Sequence, residues 1–359
     1  MRSFGIGCYH FGIKKAPPFK ITINEYINEI KNSLNKIQNL NNLQIECFEE
    51  EDYNIEDAIE TIDKERGVFP NPLGFLIKFE LFIPLRIQSE LGVVELPTEK
   101  FTVTIVYNYF LPVVIIEPHN YEAEIMASSA VRLIRLFLGK EFKSDVLRFE
   151  SLGPSPFHVD CFIKPEDSFG DLTIWSKRFP QRGYDKIYFY YNPKSFSNEN
   201  EVLEKIIDET DSELGFFYSI IQHEASQFYK WSKIELLVKN LTRTLHLGGI
   251  KGFINKFLLC SRESNNIFIS SAEFQSNEIM EKKFLRKHYK DVYFGEQEGH
   301  FKHFIDSEIE NRIEYPIKQV NELISFLENR RLHILEISML LFAAIIGGVV
   351  GALLTYLLT

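Results

Sequence analysis

Residues 337–358 read ISMLLFAAIIGGVVGALLTYLL, a run of 22 residues whose only ionisable side chain is Tyr356, a phenol that is neutral at pH 7. A helix of that length rises far enough, at about 1.5 Å per residue, to cover the ~30 Å hydrocarbon layer of a bilayer. A buried core helix is the competing explanation. Such helices rarely stay apolar on every face for so long, so a single membrane span is expected, with the lipid bilayer as its partner. Arg330 and Arg331 stand just before the run, with His333 close by, and only Thr359 follows it. The positive-inside rule then puts this flank, and the N-terminal domain with it, in the cytoplasm, while Tyr356 suits the opposite interface.

Immediately upstream, Pro316 is well placed to open a helix that continues to the C-terminus, because proline is tolerated in a first turn. Ile317, Val320, Ile324, Leu327 and Ile334 recur in steps of three and four, an a/d seam interrupted by Arg331. Two outcomes stay open for it: a coiled-coil stalk, or packing against the chain's own domain. Within the span, Gly347 and Gly351 form a G-x-x-x-G pair, and Ala344, Gly348 and Ala352 repeat the same spacing. Small residues let helix backbones approach closely in lipid, so a homo-oligomer is expected.

Working back from there, the chain divides by character, and the fold class is α+β. A mixed α/β domain is expected over 1–195, a helical region over 196–315, a juxtamembrane helix or stalk over 316–336 and the transmembrane helix over 337–358. Phe4–Ile13, Phe75–Ile83 and Phe101–Ile116 are rich in β-branched and aromatic residues and predict strands. Val146–Ser151, Phe157–Ile163 and Lys186–Tyr191 predict further strands. Apolar residues at helical spacing predict helices over Ile23–Ile37 and Tyr121–Leu138. From Glu201 to Leu245 there is no proline, and the period is helical throughout. Gly248-Gly249 breaks that segment, and Asn277–His288 reads as another helix ahead of a loop at Gly295–Gly299.

Composition supports a folded protein of about two domains. Of 359 residues 45% are hydrophobic and 25% charged, with 32 Phe and 16 Tyr to fill a core. The net charge of −10 argues against general nucleic-acid binding, which needs a positive field around the phosphates. Cys8, Cys47, Cys161 and Cys260 are scattered without a C-x-x-C pair, which points to reduced thiols rather than a disulfide framework. The N-terminal decapeptide has no long apolar stretch and does not read as a signal peptide.

Several clusters carry possible chemistry. Glu296, Glu298, His300, His303 and Asp306 combine imidazoles with carboxylates, and His300 and His303 at i, i+3 share a face if the segment is helical, a donor set suited to a zinc-like metal. A polar surface is the plainer explanation. His158 and Asp160 follow the stiff Gly153-Pro154-Ser155-Pro156 loop on one face of a strand, where they could serve acid–base chemistry or a metal. His223-Glu224 resembles the start of a zinc-protease motif, but Gln227 stands where the second histidine is needed. The acidic stretch from Glu49 to Asp63 reads as a solvated face, and Lys282, Lys283, Arg286, Lys287 and Lys290 form a cationic helix face that could meet anionic lipid. No motif implies a particular cofactor.

The outline of α/β domain, long helices and terminal membrane helix resembles that of CorA-type magnesium transporters. This chain has one span and lacks the Gly-Met-Asn tripeptide of that family, so no transport residue carries over. The expected function is a membrane-tethered sensor or effector that self-associates and acts at the membrane. A membrane-anchored, metal-dependent enzyme and a passive scaffold for a protein partner are the alternatives.

Overall fold

Strand Phe75–Phe82 (β4) alternates buried and partly or fully exposed side chains along its length, the pattern of a strand with one face on the core. The strands beside it, Lys100–Tyr107 (β5) and Val113–Pro118 (β6), are buried at nearly every position, so Thr102, Thr104 and Glu117 are enclosed along with their apolar neighbours. The structure, a computed structural model, describes residues 2–14, 21–47, 74–93, 96–107, 111–119, 126–152, 159–167, 172–181, 185–246, 249–295 and 299–358, without the side chains of 23, 249–260, 355, 356 and 358.

The remaining strands are Arg2–Gly7 (β1), Tyr9–Ile13 (β2), Leu40–Cys47 (β3), Leu147–Ser151 (β7), Val159–Pro165 (β8), Ile174–Phe179 (β9) and Asp185–Tyr191 (β10). Eight of them form one sheet in the order β3-β4-β5-β6-β1-β8-β10-β9, and β2 pairs with β7 in a separate ribbon. Every pairing in the large sheet is antiparallel except β8 with β10. The helices are Ile23–Leu34 (α1), Leu85–Glu90 (α2), Ala127–Glu141 (α3), Glu199–His246 (α4), Gly249–His288 (α5), Lys302–Glu310 (α6) and Ile317–Leu358 (α7).

Two compact units emerge. The first comprises Met1–Gln222 and His288–Asn311, the second His223–Lys287 and Arg312–Thr359. In the first, α1 starts at a capping box in which Thr22 and Glu25 satisfy each other's backbone N–H groups. Helix α3 lies directly on β1, because a Cβ at Gly5 would stand 2.4 Å from the carbonyl oxygen of Ala127 and one at Gly7 2.8 Å from Val131. Only glycine permits that approach. Tyr9 donates its hydroxyl proton to the carbonyl of Val131, and the core closes around Phe11, Phe75, Phe79, Phe101, Leu133 and Ile134.

The N-terminal mixed sheet, the helical middle and the apolar C-terminal helix are as the sequence predicts, with local differences. The single strand expected over Phe4–Ile13 divides at Cys8, where the chain leaves the large sheet for the ribbon and the Cys8 carbonyl accepts from Leu152. Phe101–Ile116 likewise holds two strands, β5 and β6. Strands β3 and β9 and helix α2 have no counterpart among the predicted elements; β3 is mostly exposed and polar, so it lacks the apolar alternation that betrays a strand. Asn277–His288 is only the last part of the 40-residue α5.

In the second unit, α4 and α5 run antiparallel. Gln227 donates to Glu281 at 2.6 Å, the rings of Trp231 and Phe274 lie 6.3 Å apart, and Thr244 donates to Glu263 at 3.3 Å. Tyr315, just ahead of α7, meets both Trp231 and Phe274 at 5.4 Å. Ile317 and Ile324 are buried in one cluster with Ile234, Leu241 and Ile267, and Val320 and Leu327 pack at its edge. The first four seam positions therefore pack with the chain's own α4 and α5, while Ile334 is 39% exposed.

Candidate functional site

Helix α7 is 42 residues long without a break, and its two halves live in different surroundings. The first half contributes Ile317 and Ile324 to the core just described. In the second half Leu340, Leu341, Phe342, Ile345, Ile346, Val349 and Leu353 are all exposed, and no part of the most apolar stretch is buried. Among the described residues this is the one helix long and apolar enough to cross a membrane. The core-helix explanation needs burial and finds none, so a membrane anchor fits. A Cβ added at Gly347, Gly348 or Gly351 would meet nothing within 4 Å.

The best-formed polar constellation lies in the first unit. The His300 ring bridges Ser176 Oγ on β9, 2.8 Å from Nδ1, and Glu209 Oε2 on α4, 3.2 Å from Nε2. Lys205, one turn earlier on α4, lies 3.1 Å from the other oxygen of Glu209. One turn later, Glu213 accepts from the backbone N–H groups of His300 at 3.0 Å and Phe301 at 2.6 Å. Gly299 makes this possible with φ of +98°, a left-handed conformation that a side chain would strain. Phe189 of β10 seals the cluster, its ring 5.2 Å from that of His300.

The two carboxylates are tuned in opposite directions. Burial pushes Glu209 up, but the hydrogen bonds and charges of His300 and Lys205 outweigh it, so the carboxyl ends below its ordinary value. For Glu213 burial wins over the three backbone donors and the nearby His300, and its carboxyl sits above the usual range. Serine, histidine and a carboxylate in line are the parts of a nucleophilic site. Here the side chains of His300 and Glu209 are 0% and 1% exposed, so neither can meet a substrate in this conformation. What the arrangement does is clamp residues 299–301 between α4 and β9.

The sequence-predicted residues are distributed as follows. His300 and His303 do not share a helix face, because α6 begins at Lys302 and Phe301 is its cap. His303 is exposed, while Asp306 accepts from Tyr289 at 2.7 Å, and burial together with that carboxylate pushes the Tyr289 phenol up to about 12. Among the described residues no three His, Cys, Asp or Glu side chains are grouped to hold a metal ion. Asp160 is buried, and its Oδ1 accepts from the backbone of Ser128 at 2.9 Å, so it satisfies an orphan donor at the start of α3. His158, Glu296, Glu298 and the acidic stretch from Glu49 to Asp63 lie outside the described residues.

His223 and Gln227 both reach Glu281, His223 at 3.5 Å and Gln227 at 2.6 Å, with the Arg312 guanidinium 4.0 Å away. They form a polar bridge between α4 and α5. In the basic run, Lys282 pairs with Glu278 at 2.6 Å. Burial pushes the Cys8 and Cys161 thiols well up, which leaves them inert.

Glu209, Glu213 and Ser176 were not singled out by sequence motif. One signal did exist: on a helical wheel the two glutamates fall on the same stripe as Val202, Ile206, Phe217 and Ile220, where acids are expensive unless partnered. Comparison with protein-family models, with curated proteins and with solved structures gives no match for this chain.

Proposed function

We propose that this protein is a membrane-tethered sensor or effector, with its sheet-bearing unit in the cytoplasm, that self-associates and acts at the membrane. The observation that carries the reading is α7 itself, one helix whose first half belongs to a folded core and whose second half is apolar and exposed on all sides. A rigid helix of this kind transmits the arrangement of the folded units to the anchors, and the reverse, with no flexible linker to absorb the change. Arg330 and Arg331 at the boundary support the cytoplasmic orientation.

Self-association draws on the outward face of α7. At 100° per residue, Phe326 and Ile337 fall on the side opposite Ile317 and Ile324, with Leu323 at its margin, and Ala344, Gly348 and Gly351 continue the same side into the span. Phe326 is 61% exposed there. A second copy would cover this stripe along both halves of the helix. The rival reading, a membrane-bound enzyme, draws on the line of Ser176, His300 and Glu209, and the burial of the last two weighs against it.

The test compares induced expression of the full chain with a chain lacking residues 337–359, and with Gly347→Leu/Gly351→Leu in the full chain. Full-length protein in the membrane pellet, cross-linked as a discrete oligomer and altering growth or membrane potential, supports the proposal. Identical growth and potential with and without the span would defeat the effector. Undiminished cross-linking of the leucine variant would defeat the proposed contact.

A further inference from the structure

We propose that the outer face of α5 docks a helix of a separate protein partner, one that is apolar where it crosses α5 and acidic beside that crossing. This face goes beyond the anchoring and self-association assigned to α7, and it shares no residue with either.

The helical wheel defines the face. At 100° per residue Ile267 and Phe274 point to the core, and the opposite side carries Phe268, Ile269, Ile279 and Met280, which are 58%, 47%, 68% and 67% exposed. Apolar side chains scattered singly are ordinary on a surface, but these four form two pairs on one side of one helix. The pairs are eleven residues apart, about 16 Å along the axis, and between them the same side holds the small Ala272 and Ser276. A helix with its side chains is roughly 10–12 Å across, so one fits across α5 between the pairs, with its own apolar residues seated over Ala272 and Ser276.

Charge selects the occupant. One turn beyond Met280 the same side turns cationic with Lys283, Arg286 and Lys287, all exposed and none paired with an acid among the described residues. The acids of this stretch leave them unneutralised. Glu278 is taken by Lys282 at 2.6 Å, Glu281 is buried against Gln227, and Asp291 lies past the helix end, 3.5 Å from His288. Glu273 precedes Lys283 by ten residues, about 15 Å of helix, and Glu224 of α4 acts on Tyr315, on the α7 side. An acidic flank on the partner answers the three cations, speeds encounter and fixes the direction of crossing.

Two other occupants fit less well. A second α5 laid across this one would leave both sets of cations unpaired. A bilayer is out of reach, because α7 advances from Tyr315, beside Trp231 and Phe274, toward Leu245, and so runs with α4 and against α5. The apolar run starts at Ile337, about 33 Å past Tyr315, and Lys283 lies about 13 Å from Phe274 in the opposite direction. That separation is several screening lengths of ~8 Å.

The experiment holds the full chain in phosphatidylcholine nanodiscs and titrates it into two fluorescein-labelled peptides. One is a helix of about five turns with Leu at i, i+3, i+4 and i+7 and Glu elsewhere, and the other has the same composition in an order without that period. Saturable binding is expected for the first, and binding at least about tenfold weaker for the second. Ile279→Ser/Met280→Ser and, separately, Lys283→Gln/Arg286→Gln/Lys287→Gln should each weaken the first peptide about tenfold. Tyr229→Ser/Leu236→Ser, exposed on the outer side of α4, should leave it unchanged. No saturable binding, equal binding of the two peptides, an equal loss in the α4 variant, or a loss confined to one of the two α5 variants overturns the inference. So does a fall in cross-linking between full-length chains caused by Ile279→Ser/Met280→Ser, which would assign the face to a second copy. Each variant should stay in the membrane pellet, so failure of the docking face leaves the α7 reading standing.

Discussion

The sheet-bearing unit and the helical unit treat their side chains in contrasting ways. The first buries Phe4, Phe11, Phe75, Phe79, Phe101 and Phe189 almost completely, and it pairs its buried acids: Glu117 with Arg2, Glu209 with His300 and Lys205. The second gathers seven buried apolar residues into its core and leaves Phe228, Tyr229, Leu236, Phe268, Met280 and Phe326 exposed on its outer helix faces. Among the described residues the first exposes few large apolar side chains, Met126 and Tyr293 foremost. The other presents the kind of apolar surface that marks an interface, with protein or with lipid. A helix pair and a third helix enclose little interior, so many large apolar side chains stay on the outer faces.

That contrast is open to attack from several directions. The harshest is Gly5→Leu in the sheet-bearing unit, where the new side chain would collide with the Ala127 backbone and not merely with a flexible neighbour. A loss of about 3 kcal/mol or more is expected in urea denaturation, at the upper end for overpacking. A loss under about 1 kcal/mol would show that α3 is free to lift from β1.

Next in size is His300→Ala, which leaves Glu209 and Ser176 facing each other without the imidazole. It should cost about 3 kcal/mol. Hydrogen exchange should rise in α6 and in Glu199–Gln222 of α4, and stay unchanged in α5 beyond Glu263. Equal acceleration in both units would mean that they do not close separately.

Glu209→Gln gives a smaller effect with a defined pH dependence. The native carboxyl lies below its ordinary value, so its contribution is complete above the ordinary glutamate pKa of about 4.3 and is lost as pH falls through the lower folded value. The glutamine variant should be less stable by about 1–2 kcal/mol at neutral pH and should lose that deficit in acid. A constant difference from neutral pH down to acid would show that Glu209 is not the titrating partner.

The smallest effect on folding belongs to Leu323→Ser/Phe326→Ser in the helical unit. Both side chains are exposed, so the fold should change by no more than about 0.5 kcal/mol per site. Cross-linking of full-length chains in membranes should nonetheless fall. Destabilisation comparable to that of His300→Ala would place these residues in a core and erase the contrast.

Much of this was legible in the sequence because it depends on local order. A 22-residue stretch without charge needs no partner to declare its solvent, and Pro316 together with the i, i+3, i+4 rhythm announces one helix up to it. Strand β4 follows from its composition and helix α1 from the spacing of its apolar residues, for the same reason. The seam on α7 shows where the text stops: Ile317, Val320, Ile324 and Leu327 demand burial, and nothing in their spacing says against what. The candidate site was harder still. His300 was visible as a histidine near acids, but its true neighbours, Ser176 and Glu209, are 124 and 91 positions away in the chain.

The amino-acid order by itself therefore determined the apolar span, its basic flank, the helical second half and most strands, since each is encoded within a few turns or a few alternations. Only tertiary structure decided that Ile317, Val320, Ile324 and Leu327 pack with α4 and α5, that Asp160 serves the start of α3, and that His300 is a buried clamp rather than a surface ligand. Those outcomes depend on which distant segments meet, and contact between distant segments is fixed by the packing of whole faces, which no local period records.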